Sequence, residues 1–492
     1  MTGAPSTSND RSIENGPKPL NRAPSAPNTA QHPTDVAADA AAGPDLVSPP
    51  RAPLKQRVLQ SGAVSIIGFG AGQVIRLLSN LIMTRLLTAD AFGLMAITVS
   101  LQVLMIMVSD VGINTSIIRS DESDKPRFLA TAFTMQLARG VLIAIVILGV
   151  ALGVVVLNGR ELFNPDTVFV DPRLPVFLVI IALCGLLEGM RSLKMVLCQR
   201  DLRMERLVTL EISTQILAVI GMISAFFLGA GAYSLVFGAL TATIATTLGS
   251  HFFLKGPDIF IGFDRALFGE IFSFGKWLLV ASFAGFVTQR GDHFIFGAVM
   301  AREDYGYYAI ATIWITVALV LSDILQRRII YTSLAEVWRE RKQDLTSVYY
   351  QYRTYLDIGY ALLFCAVILL SDFAFTILYP DDYGTVTTYL KILAIIILAL
   401  PYHLLSSVLL AVGESRNFMI MTLFPMVFML VLTPIMLQLT DLRTAIMFSA
   451  FAQFSIVPFC WVNVRRHVRL SPVREVPMIV FAFVAALGLA AI

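Results

Sequence analysis

Thirteen long apolar stretches occupy the chain from about residue 58 to its C-terminus, and few folds can accept such a pattern. A bilayer core is crossed by ~20 apolar residues in helical form. Inside hydrocarbon each backbone N–H and C=O needs an internal partner, so runs of this length read as helices. The expected fold is an all-α polytopic membrane protein. The spans read as 60–83, 92–113, 130–157, 175–197, 208–228, 233–254, 272–299, 306–326, 356–378, 388–412, 418–437, 444–462 and a short 477–492. Charged residues make up only 14% of the 492, against ~25% in an average soluble domain. A net charge of +3 gives nucleic-acid binding no support. Cys184, Cys198, Cys365 and Cys460 lie in or at the ends of spans without a CxxC pair, and read as packing residues.

The spans divide the chain. Residues 1–57 form a Pro- and Ala-rich segment; its first 50 residues lack aromatics and cannot bury enough apolar area to offset ordering entropy. With no basic stretch leading into an apolar one, it reads as a disordered cytoplasmic tail rather than a signal peptide. A six-helix bundle is expected over 58–256, a cytoplasmic linker over 257–271 and a second six-helix bundle over 272–465. A basic linker and short thirteenth span fill 466–492. Lys and Arg between spans fall mainly on one side, in clusters such as Arg200, Arg203 and Arg206, Arg327, Arg328 and Arg353, or Arg465, Arg466, Arg469 and Arg474. The other side holds only Arg85, Arg160, Arg173, Arg302 and Arg443. That asymmetry places the N-terminus in the cytoplasm. The stretch from Ile330 through Trp338 to Tyr349 has apolar residues at three- and four-residue spacing. It reads as an amphipathic helix, lying on the inner membrane surface or packed on neighbouring helices.

An internal duplication supports the division. An offset of 213 residues pairs Phe92-Gly93 with Tyr305-Gly306 and Ala96-Ile97 with Ala309-Ile310. A weaker match pairs Phe163-Asn164-Pro165-Asp166 with Leu378-Tyr379-Pro380-Asp381 at an offset of 215. Six spans separate the repeats, so both halves share one orientation. Two bundles related by a pseudo-two-fold along the membrane normal follow. Facing bundles favour a transporter with a central cavity.

Ionisable groups inside spans are costly and usually face a cavity or a partner. Gln73, Arg76 and Asn80 share one face of span one. Arg139 lies in span three, and span seven carries Lys276 and Arg290. The 213 offset maps Arg76 onto Gln289, next to Arg290, so both halves place an arginine at nearly one depth. Basic groups around a cavity suit an anion, and the planar guanidinium suits phosphate. The plainer alternative is neutralisation of acids such as Glu188, Glu211 and Asp292, or snorkelling to the surface. Asp110 and Asp323 end spans two and eight; they are candidates for a coupling H+ or Na+, or simply solvated helix ends. No phosphate loop, zinc spacing or catalytic triad is present in the sequence, so no enzyme and no cofactor is expected.

The run Ser79–Gly93, the segment Ser109-Asp110-Val111-Gly112-Ile113, Ser273-Phe274-Gly275-Lys276-Trp277 and Tyr305-Gly306-Tyr307-Tyr308 resemble Wzx-type oligosaccharide flippases. These are polysaccharide transporters of the multidrug/oligosaccharidyl-lipid/polysaccharide exporter superfamily. The resemblance covers about residues 58–465. It implies a multi-pass protein of the bacterial inner membrane. Such a protein moves undecaprenyl-diphosphate-linked oligosaccharide units to the outer leaflet for exopolysaccharide, capsule or O-antigen synthesis, with a polysaccharide polymerase complex as a partner. It also implies a cationic central cavity, for which Arg76, Arg139, Lys276 and Arg290, with Gln73 and Asn80, are the candidates. The long N-terminal tail and odd span number depart from the family pattern. Two other readings stand beside it. A multidrug or metabolite exporter of the same fold would want an acid-lined cavity. A membrane-embedded polymerase or ligase would want a large catalytic outer loop.

Overall fold

The structure is a computed structural model that describes residues 54–109, 112–119, 125–158, 164–201, 203–257 and 260–490. Asp110 and the side chain of Lys276 lie outside the described set. Among the described residues every regular element is a helix. The first half holds α1 (Leu54–Thr84), α2 (Ala89–Val108), α3 (Ile113–Arg119), α4 (Pro126–Asn158), α5 (Leu174–Gly189), α6 (Lys194–Arg200), α7 (Met204–Ala225) and α8 (Ser234–Phe252). There follow α9 (Arg265–Gly297), α10 (Arg302–Leu325), α11 (Tyr331–Glu340), α12 (Leu345–Leu378), α13 (Gly384–Leu393), α14 (Ile395–Ala399) and α15 (His403–Ala411). The chain closes with α16 (Ser415–Val427), α17 (Thr433–Leu439), α18 (Leu442–Ala450), α19 (Ile456–Val464) and α20 (Pro472–Ala490).

Local chemistry sets the boundaries. The Asp264 carboxylate accepts from the amides of Ala266 at 2.9 Å and Leu267 at 3.4 Å, capping the start of α9. Between α7 and α8, Gly229 (φ 90°) and Gly231 (φ 53°) take left-handed backbone that other residues adopt only at a cost. The chain reverses there, and α7 and α8 pack antiparallel, Leu210 against Gly249 and Thr241 against Gly221. Pro401 has no N–H to give, and the helical run from Gly384 to Ala411 tightens into a 3-10 turn at Leu400–Tyr402. This run is buried almost throughout and forms the central post of the second half.

Among the described residues ten helical stretches are long and apolar enough to cross a membrane, eleven with the bent pair α5 and α6. The sequence reading expects thirteen, and the difference lies in the bends. One of the ten, Met204–Phe252, is 49 residues long and contains both α7 and α8. The expected span 272–299 falls in α9, a 33-residue helix outside that count. Ile67, Leu152, Phe227, Leu369 and Phe373 are all more than 60% exposed. Fully exposed apolar side chains on spanning helices are what hydrocarbon solvent favours, and the protein is a multi-pass membrane protein.

Two expectations resolve in detail. The amphipathic stretch breaks after Glu340: α11 buries Leu334 and Val337 against α15, and Leu345 and Tyr349 belong to α12. Its apolar face therefore covers protein. Cys184, Cys198 and Cys460 are buried, and all four cysteines are free thiols.

The halves meet most closely where α2 crosses α10. A Cβ at Gly306 would lie 1.9 Å from the Ala89 carbonyl oxygen, and one at Gly93 2.9 Å from the Tyr305 ring. These are the glycines the 213-residue offset pairs, so equivalent positions of the repeat touch each other. Any side chain at 306 must push α2 away. Gly306→Ala is expected to cost the overpacking penalty of ~1–3 kcal/mol, read as a lower thermal midpoint in detergent. Gly359→Ala, where a Cβ meets nothing within 4 Å, is the control.

Candidate functional site

Of the sequence candidates, Gln73, Arg76 and Asn80 lie on α1 and Arg290 on α9. Along α1, Gln73 is buried, Asn80 is half-buried and Arg76 is exposed. The Asn80 Nδ2 is buried and, among the described residues, has no hydrogen-bond partner. On α9, Arg290 is half-buried. Arg76 and Arg290 stand close enough for their positive charges to act on each other. Two cations held near one another cost energy unless an anion comes between them.

Neighbouring groups fix Arg290. Its Nη1 donates to His293 Nε2 at 3.3 Å. A guanidinium can only donate, so this nitrogen carries the lone pair and Nδ1 carries the proton. That proton goes to the Tyr305 hydroxyl oxygen at 3.0 Å. His293 is therefore the neutral Nδ1–H tautomer, 2% exposed, wedged between the rings of Tyr305 and Tyr308. Asp292 accepts from the Tyr308 hydroxyl at 2.5 Å. Sequence reasoning names Asp292 among the intramembrane acids but gives no sign that tyrosines of α10 hold it and His293.

The other candidates lie elsewhere. Arg139 donates from Nη2 to the Ile106 carbonyl at 2.8 Å and from Nε to Ser109 Oγ at 3.0 Å. It thus caps the C-terminus of α2, where a cation is favoured. Glu188 pairs with Arg191 at 3.7 Å, as their spacing predicts. Asp323 is exposed in the last turn of α10. Lys276 and Asp110 fall under the limits already given.

At the end of the molecule carrying the α1–α2 turn, polar contacts tie the halves together. Arg173, just before α5, pairs with Asp171 at 2.7 Å and also with Asp90 of α2. Arg302 of α10 reaches Asp171 at 3.5 Å and donates its backbone N–H to the Asp166 carbonyl at 2.9 Å. Arg85 donates to the carbonyls of Ile377 and Leu378 at 3.4 Å, and Tyr383 to that of Leu87. Together with the α2–α10 crossing these contacts seal that end. Asp171 is fully buried. Burial pushes its carboxyl up, but the hydrogen bonds of Arg173 and the charges of Arg173 and Arg302 outweigh this and hold it below the usual range.

The chain matches a family described as polysaccharide biosynthesis protein over residues 82–383. No curated protein matches it. Solved structures share its fold. The inward-facing conformation of a multidrug resistance MATE family transporter of the MOP superfamily overlays with a TM-score of 0.65 at 14% identity, covering 81% of this chain and 97% of that one. The outward-facing conformation of such a transporter gives 0.51 at 15% identity, covering 84% and 95%. The lipid II flippase MurJ, in an inward closed conformation, gives 0.58 at 10% identity, covering 86% and 97%. These likenesses establish the fold.

The seal should respond to acid in a defined direction. A carboxyl whose pKa is depressed on folding contributes stability above its unfolded value of ~3.9 and loses it as pH falls through the folded value. Spin labels on the loop before α5 and the first turn of α10 should keep one separation from pH 8 to 5 and spread only in stronger acid. Asp171→Asn should widen that distance at every pH, at a cost of about 2 kcal/mol for lost charge-assisted hydrogen bonds.

Proposed function

Because this chain belongs to the polysaccharide biosynthesis protein family, we propose that it flips undecaprenyl-diphosphate-linked oligosaccharide units from the cytoplasmic to the periplasmic leaflet by alternating access. What supports this reading is the repulsion between the like charges of Arg76 on α1 and Arg290 on α9, one from each half of the chain. A diphosphate is a compact polyanion with many acceptor oxygens. Each guanidinium can hold two of them at once, and the anion removes the repulsion between the arginines. The unpaired Asn80 amide on the same helix face supplies a further donor. His293 and Tyr305 keep Arg290 from drifting, so little ordering entropy is lost when the ligand arrives.

The sealed end fits a conformation open to the opposite side. Basic residues outside the spans concentrate on that opposite side, which the positive-inside rule makes cytoplasmic. In this reading the headgroup is taken up from the cytoplasmic leaflet while its polyprenyl tail stays in lipid. Release requires parting α2 from α10 and breaking the Arg302–Asp171 pair. Arg139 and Lys276 would add to the cationic field, and Asp110 or Asp323 would carry a coupling ion. A polymerase complex would consume the product.

The test uses proteoliposomes loaded with a diphosphate-linked oligosaccharide. Arg76→Ala and Arg290→Ala should each slow flipping ~10- to 100-fold, the value of one or two charge-assisted hydrogen bonds. Lysine at either site should restore part of the rate through its charge alone. Wild-type rates in both alanine variants would remove these residues from the mechanism and reopen the drug-export reading.

A further inference from the structure

A second charged cluster lies far along the chain from Arg76 and Arg290, at the N-terminal turns of α12 and α20. Arg353 was expected in a cytoplasmic loop; the structure places it in α12, 1% exposed. Its Nε donates to Asp357 Oδ2 at 3.0 Å, and its Nη2 stands 3.5 Å from Glu475 Oε2 on α20. Glu475 is fully buried, and its Oε1 accepts from the Tyr349 hydroxyl at 2.8 Å. The guanidinium lies over the Tyr402 ring at 4.0 Å, and the Tyr402 hydroxyl donates to the Glu475 backbone carbonyl. Arg474 is turned away, over the Tyr350 ring at 4.9 Å. The Tyr350 hydroxyl accepts the Ser471 amide at 2.6 Å.

The cluster does not balance. Two carboxylates face one guanidinium, and the flanking groups are neutral tyrosines. If both acids were ionised, one negative charge would be left without compensation beside the fully buried Glu475 and the quarter-exposed Asp357, a cost that grows as water is excluded. Among the described residues, Asp357 Oδ1 and Glu475 Oε2 are buried without hydrogen-bond partners, as are Arg353 Nη1 and Nη2, although Nη2 and Oε2 form an ion pair at 3.5 Å. Either acid could carry a proton. A metal ion fits poorly, because the guanidinium already occupies the space between the acids and repels a second cation. Among the described residues no group of three His, Cys, Asp or Glu side chains could hold one.

We propose that Asp357 and Glu475 together hold one exchangeable proton, and that this proton lets the first turn of α20 dock on α12. When it leaves, the surplus charge pushes Glu475 toward water and α20 loses its anchor. The site belongs to the pair, since the two acids share one guanidinium. It does not depend on which cargo the protein carries.

Infrared spectroscopy of the protein in nanodiscs tests this. Wild type should show one carboxylic-acid carbonyl band near neutral pH that disappears on alkaline titration. Asp357→Asn and Glu475→Gln are near-isosteric, and each leaves one carboxylate for one guanidinium. Both single variants should lose that band, seen as one carboxyl's absorbance in the wild-type-minus-variant difference. The band should be the same in sodium and choline buffers. A band that persists in both variants, a wild-type spectrum with no titrating band, or a band abolished by sodium would each overturn the proposal. The wild-type titration serves even if a variant fails to fold.

Discussion

The carbonyl of Ala89 rests against the backbone of Gly306, and nearly everything else in the molecule is arranged around that contact. Helices in lipid gain nothing from burying apolar surface against one another, so they associate through close packing and polar contacts. A glycine on α10 brings two backbones into touch. The same approach places the first turn of α2, with Asp90, beside Arg173 and the first turn of α10, with Arg302, beside Asp171. A bulkier residue at the crossing would separate these groups by more than an ion pair tolerates. The packing at one end thus sets the electrostatics of that end.

Charge is treated in three ways in the interior. At the seal, cations and anions alternate and each acid is answered by an arginine. Around Arg353 the acids outnumber the arginine, and Tyr349 and Tyr402 flank them, each donating its hydroxyl to Glu475. Arg76 of α1 and Arg290 of α9 repel one another, and Asp292, two residues from Arg290, is engaged by Tyr308. The first arrangement holds a shape. The second has room for a proton. The third, with like charges from both halves of the chain, is the one proposed above to take an anion.

Much of this was legible in the sequence, and what was not has a physical cause. Apolar run length dictates helices because lipid leaves the backbone no other partner. The 213-residue offset singles out Gly93 and Gly306, and it puts arginines at one depth in each half. Arg353 misled the count of loop charges because hydropathy cannot tell a solvated helix end from a buried one. Arg302 reads as a loop residue for the same reason; its partner Asp171 is distant in sequence and near only in the fold. The tautomer of His293 depends on Arg290 and Tyr305 together, which no spacing rule encodes. Pro401 signals a break, but not that the break would set Tyr402 against Arg353.

The seal and the arginine gap are joined by direct contacts. Gly93 of α2 leaves room for the Tyr305 ring, whose hydroxyl accepts from His293, whose other ring nitrogen accepts from Arg290. Each step is a contact or a hydrogen bond between fully or partly buried groups, with no water needed to complete it. If α2 moves off α10, Tyr305 loses the surface that fixes its ring. His293 then loses its acceptor, and Arg290 loses the group that aims it. The α2–α10 crossing and Arg290 are therefore linked through a single histidine, neutral because an arginine beside it can only donate.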